Sequence, residues 1–193
     1  MKSICVYCGS SPGRREAYAV AARGLGRALV DRGLRLVYGG ACVGIMGIVA
    51  DAVLDYGGEA VGVIPEGLVR REVAHPRLTE LHITHSMHER KTLMAELSDG
   101  FIALPGGIGT LEEIFEIWTW AQLGLHGKPC GLLNVDGYYN ALTAFLDHAV
   151  GERFVKNPHR AMLIVEQNPD AMLDRFANFV PPVVQKWVGK RET

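Results

Sequence analysis

Short apolar runs of strand length alternate with helical patterns along this chain, and the alternation constrains the fold more than any other feature. Runs such as Ser3–Cys8 and Phe101–Leu104 are apolar at nearly every position, whereas Arg15–Arg32 repeats its apolar residues with helical spacing. Strands that alternate with helices predict βαβ units and a mainly parallel sheet. Nearly continuous apolar strands predict burial on both faces. We therefore predict one doubly wound, Rossmann-like α/β domain with a mainly parallel sheet of about seven strands.

The predicted elements follow one another without a linker, a repeat or a low-complexity tract. The predicted strands are Ser3–Cys8, Leu34–Tyr38, Ala60–Ile64, Leu81–Thr84, Phe101–Leu104, Cys130–Asn134 and Met162–Val165. The predicted helices are Arg15–Arg32, Gly44–Tyr56, Ser86–Ser98, Thr110–Leu123, Tyr138–Val150 and Pro169–Phe179. Pro65–Glu80 is the one long charged connection. We expect the domain to span residues 1–180, with a C-terminal tail at 181–193.

Charge and cysteine content narrow the class of protein. The formal net charge is -1 and no basic block is present, so we expect no nucleic-acid partner. The apolar runs are too short to span a membrane, and the N-terminus does not read as a signal peptide, so we expect no membrane association and a cytoplasmic location. Cys5 and Cys8 form a C-x-x-C inside an apolar run. No second C-x-x-C or close histidine pair completes a zinc set, so we expect buried, reduced thiols and no metal.

Four glycine- or serine-rich turns follow predicted strands: GSSPG, GGACVG, IPEG and PGGIGT. In doubly wound sheets ligands bind beyond the carboxyl ends of the strands, so three of these turns could converge on one crevice. PGGIGT joins a strand to a helix, and free amides with the positive end of the helix dipole form an anion site there. The alternative is a tight turn without a ligand.

Two carboxylates follow this turn directly. Thr110 and Glu113 fit a capping box, T-x-x-E, in which Glu113 only closes the helix N-terminus. A carboxylate at that position would also lie beside the anion site, where it could act in chemistry. The spacing does not decide between these two roles. Glu112 is expected to be a solvent-facing or helix-dipole residue.

A second set of polar residues begins the helix at Ser86. Ser86 and Glu89 fit another capping box, and Arg90 shares a face with the apolar Met87 and Met94. A cation that points inward needs an anionic partner. This partner is either an internal carboxylate or a substrate phosphate or carboxylate, which arginine binds in bidentate fashion. His88 is expected at the surface.

Other candidates have equally plain structural alternatives. Ser10 and Ser11 could donate to a phosphate or cap the following helix. Gly39-Gly40 could admit a ligand or only form a turn. Glu72 could reach the site or be solvated. The Trp118/Trp120 pair is expected in the core or at a subunit interface.

The motifs PGGIGTLEE and MHERK, in this chain order, resemble the LOG ("lonely guy") family of cytokinin riboside 5'-monophosphate phosphoribohydrolases. The family pattern PGGxGTxxE stands at Pro105–Glu113, and its Met-His-x-Arg-Lys segment stands at Met87–Lys91. The similarity extends to CGSS, VYGGACVGIMG, VIPEGL and TWAQLGLHGKPCGLLNVDGYY, and so covers nearly the whole chain.

The resemblance implies hydrolysis of the N-glycosidic bond of an adenosine 5'-monophosphate, N6-modified or plain. The products would be the free base and ribose 5-phosphate. It further implies no metal or cofactor, and a homodimer with the active site near the interface. Arg90 and Glu113 would be catalytic. The substrate-binding residues that it implies are Glu72, Lys91, Gly107, Gly109, Thr110 and Thr119. The glycine- and serine-rich turns offer Ser10, Gly40 and Gly106 as further candidates for substrate binding.

The chemistry of N-ribosyl cleavage suits these residues. Positive charge develops on the ribose ring, and a nearby carboxylate such as Glu113 stabilises it as it forms. Arg90 stays charged and therefore positions groups rather than donating a proton. One alternative is a nucleotide-binding module without turnover, which would gain nothing from a carboxylate near the ribose. Another is a lysine decarboxylase, which needs a Schiff-base lysine, and Lys91 is the only plausible inward lysine.

Overall fold

The computed structural model describes residues 1–69 and 74–182. Its strands are β1 Ser3–Tyr7, β2 Arg35–Tyr38, β3 Ala60–Pro65, β4 Glu80–Thr84, β5 Phe101–Ala103, β6 Cys130–Leu133 and β7 Leu163–Glu166. Its α-helices are α1 Glu16–Asp31, α2 Gly44–Asp55, α3 Glu66–Val69, α4 Met87–Glu96, α5 Ile108–Gln122, α6 Asn140–Gly151, α7 Asn157–Ala161 and α8 Pro169–Ala177. All of the predicted strands and helices are confirmed, and the short helices α3 and α7 are additional. The predicted tail lies outside the described residues from 183 onward.

The seven strands form one sheet in the order β4-β3-β2-β1-β5-β6-β7, and every pairing is parallel. From β1 the chain builds outward through β2, β3 and β4, and then returns to the other side of β1 with β5. The strand order therefore reverses between β1 and β5. Tyr7 pairs with Ala103 at the carboxyl ends of these two strands. The turns that follow them leave the sheet side by side, at the position where doubly wound folds bind ligands.

Alternate residues of β1 enter two separate cores. Ile4 and Val6 pack on one face of the sheet, which α1, α2 and α8 cover. Cys5 packs on the other face, together with buried residues of α4, α5 and α6. Cys8 belongs to the first core, so the two cysteines of the C-x-x-C lie on opposite faces of the sheet. Both are free and buried, as expected, and burial raises the pKa of each thiol well above its usual range.

Within residues 1–69 and 74–182, every helix is too short or too polar to cross a bilayer.

Candidate active site

A cavity of about 260 Å³ lies at the switch point between β1 and β5. Its walls come from the end of β1 and the turn after it, the turn after β2, the start of α5, and one side chain each of α2 and α4. The residues that line it are Val6, Tyr7, Cys8, Gly9, Ser10, Gly39, Met46, Arg90, Gly107, Ile108, Gly109, Thr110 and Glu113. Three of the four glycine- or serine-rich turns therefore converge, as predicted. The fourth turn, IPEG, contributes none of the described lining residues.

The start of α5 presents free amides to this cavity. Gly107 is the N-cap residue, and its extended backbone makes no side-chain cap. The amide of Leu111 donates to the Gly107 carbonyl at 3.1 Å. Within the part of the chain that the structure describes, the amides of Gly107, Ile108 and Gly109 have no protein acceptor. These donors and the helix dipole make this end of the cavity favourable for an anion.

The predicted capping box at Thr110 is wrong. The helix begins at Ile108, so Thr110 is already its third residue and is buried at 4% exposure. Glu113 therefore lies too far into the helix to close its N-terminus. It shares a helix face with Gly109 and Thr110, which precede it by four and three residues and also line the cavity. The capping alternative for Glu113 is thereby removed.

The three glycines of PGGIGT have two different roles. A Cβ at Gly106 would lie 2.7 Å from Thr110 Cβ and 2.8 Å from the Gly9 amide nitrogen. Gly106 therefore allows the turn after β5 to pack against the turn after β1 and the side chain of Thr110. A Cβ at Gly107 or Gly109 would meet nothing within 4 Å. These two glycines leave the cavity open.

The capping box that begins α4 is confirmed, with one difference in its partners. The Glu89 amide donates to Ser86 Oγ at 3.1 Å, whereas the Glu89 carboxylate accepts from the His85 amide at 2.7 Å rather than from that of Ser86. The cap starts the helix at Met87, which places Arg90 in its first turn facing inward. His88 is exposed, as expected.

Arg90 is buried and paired with Glu113. Its Nη1 lies 3.3 Å from Glu113 Oε1, with the two side chains 9% and 11% exposed, and its Nε donates to the Val63 carbonyl at 3.0 Å. Gly39 makes room for the guanidinium, since a Cβ there would overlap it and would lie 2.5 Å from Met46 Cε. The internal salt bridge expected as one alternative is therefore present, and it faces the cavity.

Lys91 points away from this cavity. Its Nζ lies 2.6 Å from Glu112 Oε1 and 2.9 Å from Glu116 Oε2, between α4 and α5. Partial burial lowers the pKa of Lys91, but the hydrogen bonds to Glu112 and Glu116 outweigh this and hold it above its usual value. Glu112 is exposed, as expected of a solvent-facing residue, and it also pairs with this cation.

Lys91 and Glu116 line a second, larger groove of about 460 Å³. Its other walls include Trp120, Leu125 and His126. The smaller cavity is the better candidate for chemistry, because it combines a buried charged pair with free amides. Trp118 lies in the core, as one expectation had it, with its Nε1 donating to the His159 carbonyl at 2.9 Å.

The remaining predicted site residues divide between the cavity and its surroundings. Ser10 lines the cavity, and α1 begins at Glu16 behind an Arg15 N-cap, so the idea that Ser10 or Ser11 caps this helix is wrong. Gly40 lies next to the lining residue Gly39, in the left-handed region with a φ of 81°. The Thr119 hydroxyl donates to the Phe115 carbonyl at 2.7 Å, beyond the cavity. Glu72 lies outside the described residues.

Sequence reasoning missed Tyr138. Its hydroxyl donates to the Gly106 carbonyl at 2.6 Å, so it contacts the PGGIGT turn from outside the cavity. The available signal was its place shortly after strand β6, since the carboxyl ends of parallel strands share one edge of the sheet. Metal ligands were also sought among the described residues, and no group of three or more histidine, cysteine, aspartate or glutamate side chains is arranged to hold an ion.

The fold and the cavity define a Rossmann-like α/β protein in which free amides at a helix N-terminus lie beside a buried arginine–glutamate pair. A family model described as "Possible lysine decarboxylase" matches residues 46–176. A cytokinin riboside 5'-monophosphate phosphoribohydrolase of Rhodococcoides fascians is 56% identical over 165 residues, which cover 85% of this chain and 83% of that protein. A "Probable cytokinin riboside 5'-monophosphate phosphoribohydrolase" of Oryza sativa subsp. japonica is 52% identical over 181 residues, covering 94% and 74%. The chain belongs to this family of phosphoribohydrolases, the LOG family.

Solved structures with low sequence identity resemble this chain in fold only. The molybdenum cofactor binding protein from the phototrophic bacterium Rippkaea orientalis superposes with a TM-score of 0.70 at 21% identity, covering 92% of this chain and 97% of that one. The decarboxylase description of the family model finds no support in Lys91. A Schiff base forms from a neutral amine, and the two glutamates beside Lys91 favour its charged form.

Proposed function

We propose that this enzyme hydrolyses the N-glycosidic bond of an N6-modified adenosine 5'-monophosphate and releases the free base and ribose 5-phosphate. The observation that carries the proposal is the buried Arg90–Glu113 pair, which shares a cavity with the free amides of α5. The names of the close relatives support the class of substrate. A module that only binds nucleotides would need this carboxylate for its ion pair with Arg90 but not for a charge that develops on the ribose.

The cavity suits the ribose phosphate part of such a substrate. Glu113 follows Gly107 by six residues, or about 9 Å along the helix axis. A phosphate at the amides of Gly107 to Gly109 would thus leave the sugar to extend toward Glu113. The cavity volume of about 260 Å³ is below the ~300–1,000 Å³ typical of pockets that enclose a whole drug-sized ligand. We infer that the base extends beyond it.

The proposed step breaks the bond between C1' and the base nitrogen, and the bonding electron pair leaves with the base. Positive charge builds on the ribose ring, and the Glu113 carboxylate stabilises it more in the transition state than in the ground state. A water molecule then adds its oxygen to C1'. One of its protons is released, and the departing base gains a proton from solvent. Arg90 holds Glu113 in place through the 3.3 Å contact and cannot act as the acid.

The test compares Glu113→Gln with Glu112→Gln, using release of ribose 5-phosphate from AMP and from N6-isopentenyl-AMP. Removing the charge at Glu113 should lower kcat by about 10²–10³-fold, the range seen when one preorganised electrostatic group is removed. The neighbouring Glu112 pairs with Lys91 and does not line the cavity, so its variant should keep kcat within about threefold, or ~0.7 kcal/mol of barrier.

The outcomes separate the two candidate functions. Turnover of Glu113→Gln within about tenfold of wild type, or ~1.4 kcal/mol, would refute the role of Glu113. Tight binding of both nucleotides by the wild-type protein without any ribose 5-phosphate would instead favour the nucleotide-binding module.

We propose that the enzyme acts as a homodimer with its active site near the interface. Ile108 lies at the cavity wall and is 86% exposed, and Ile83 and Met87 of the same chain are exposed apolar side chains as well. A second subunit would shield side chains of this kind. Sedimentation equilibrium checks the proposal, and a purely monomeric protein at micromolar concentration would contradict it. The four free cysteines fit the cytoplasmic location that we propose.

A further inference from the structure

Tyr138 contacts the PGGIGT turn but is not among the residues that line the cavity. It follows β6 after a short 3-10 turn, Val135–Gly137, in which Asp136 and Gly137 adopt left-handed φ values of 50° and 73°. Its ring packs edge-on against Tyr18 at 5.6 Å and against Tyr139 at 4.9 Å between centroids. These ring contacts hold the hydroxyl where it donates to the Gly106 carbonyl at 2.6 Å.

The peptide unit that this hydroxyl holds joins two glycines, Gly106 and Gly107. Neither residue has a Cβ to favour one orientation of the peptide plane, so the local sequence alone permits rotation of this unit. In a planar trans peptide the carbonyl and the following N–H point in opposite directions. A carbonyl held by Tyr138 therefore turns the Gly107 N–H away from Tyr138. Gly107 lines the cavity and Tyr138 does not.

The orientation matters because the two ends of the peptide have opposite polarity. With the carbonyl bound to Tyr138, the partly positive N–H of Gly107 joins the amides of Ile108 and Gly109 at the start of α5. With the peptide rotated, a partly negative carbonyl oxygen would face the same place and repel an anion. The hydrogen bond thus selects the orientation that binds an anion.

We propose that Tyr138 is a positioning residue for the substrate phosphate, which it serves by orienting the Gly107 amide toward the cavity. The inference rests on the proposed function, because it takes the anion at this place to be the 5'-phosphate of the substrate.

Tyr139 provides a matched control within the same turn. Its hydroxyl donates to the Leu104 carbonyl at 2.7 Å, which is a hydrogen bond of the same kind. The next residue is Pro105, which has no N–H, so this bond orients no donor. Tyr139 is buried, and the loss of its hydrogen bond should therefore reduce stability rather than phosphate binding.

The experiment compares Tyr138→Phe and Tyr139→Phe with wild type in three measurements: KM and kcat for N6-isopentenyl-AMP, the affinity for inorganic phosphate by calorimetry, and the affinity for adenosine. Tyr138→Phe should raise KM and weaken phosphate binding by about three- to tenfold, the value of one neutral hydrogen bond. Its kcat and its adenosine affinity should stay within about twofold of wild type. Tyr139→Phe should lower the melting temperature and leave the phosphate affinity unchanged.

Equal loss of adenosine and phosphate affinity in Tyr138→Phe would overturn the inference, as would identical phosphate affinities in the two variants. Phosphate calorimetry needs no turnover, so the inference and the proposed function can fail separately. If wild type binds phosphate in a Tyr138-dependent way but releases no ribose 5-phosphate, only the proposed function fails. If wild type hydrolyses the nucleotide and Tyr138→Phe binds phosphate normally, only the inference fails.

Discussion

Substitution of the PGGIGT glycines by alanine should separate folding from ligand binding. A methyl group at Gly106 would lie 2.7 Å from Thr110 Cβ and 2.8 Å from the Gly9 amide nitrogen. Neither neighbour can move freely, because one belongs to α5 and the other is backbone. Overpacking of this kind costs about 1–3 kcal/mol. For a chain of this size that corresponds to a melting temperature lowered by about 2–12 °C.

Alanine at Gly107 or Gly109 should weaken nucleotide binding rather than the stability of the fold. Neither methyl group would meet a neighbour within 4 Å, and both residues line the cavity. Gly109 lies inside α5, where alanine is more favourable than glycine by up to about 1 kcal/mol. Gly109→Ala should therefore keep or raise the melting temperature. Either methyl group would occupy space beside the amides and raise KM for the nucleotide by at least about tenfold, or ~1.4 kcal/mol of binding.

Two assays on each variant decide the matter: thermal unfolding without ligand, and KM for N6-isopentenyl-AMP. Gly106→Ala should show the largest loss of melting temperature, whereas Gly107→Ala and Gly109→Ala should show the increase in KM. If Gly106→Ala unfolds at the wild-type temperature, the close approach of the two turns is wrong. If Gly107→Ala and Gly109→Ala bind nucleotide as wild type does, the phosphate does not occupy the start of α5.

Two further predictions concern charged groups. Arg90→Lys keeps the positive charge but loses the planar guanidinium that contacts Glu113. The fold should be retained and kcat should fall by at least about tenfold. An unchanged kcat would show that the charge alone suffices. His126 donates to the Ile117 carbonyl through Nε2 and accepts from the Lys128 amide through Nδ1, and burial holds its pKa below the ordinary 6.5. Its neutral form therefore stabilises the fold above about pH 6.5, and this contribution is lost as the pH falls. Urea unfolding between pH 8 and pH 5 should show a smaller loss in His126→Asn than in wild type, and parallel curves would contradict this assignment.

The sheet could be predicted from the sequence because each strand is a continuous apolar run. Helices α3 and α7 have only 4 and 5 residues, too few for a helical period to show. The start of α5 was misplaced for a different reason. Thr110 has the side chain of a capping residue, whereas the true N-cap, Gly107, starts the helix through its backbone alone. A residue pattern reports side chains, so it cannot reveal this start.

Parts of the candidate site could be predicted where the interacting residues belong to one sequence motif. They could not be predicted where the interacting residues lie on two different helices or strands. The inward face of Arg90 follows from helical spacing, but its partner at Glu113 lies on another helix. The Lys91–Glu112 pair likewise joins α4 to α5, and neither helix alone indicates it. The contact of Tyr138 with Gly106 depends on how β6 and β5 lie in the sheet. Such pairings require the three-dimensional arrangement of the strands.

The pairing of Arg90 with Glu113 also explains why a phosphate site can tolerate a carboxylate. At an effective dielectric constant of ~20, opposite unit charges 3.3 Å apart attract by about 5 kcal/mol. A phosphate bound at the α5 amides, as proposed, would repel this carboxylate, and the adjacent Arg90 opposes that repulsion before the dipole of α5 is counted. In the proposed reaction the carboxylate then faces the sugar, where charge develops only in the transition state.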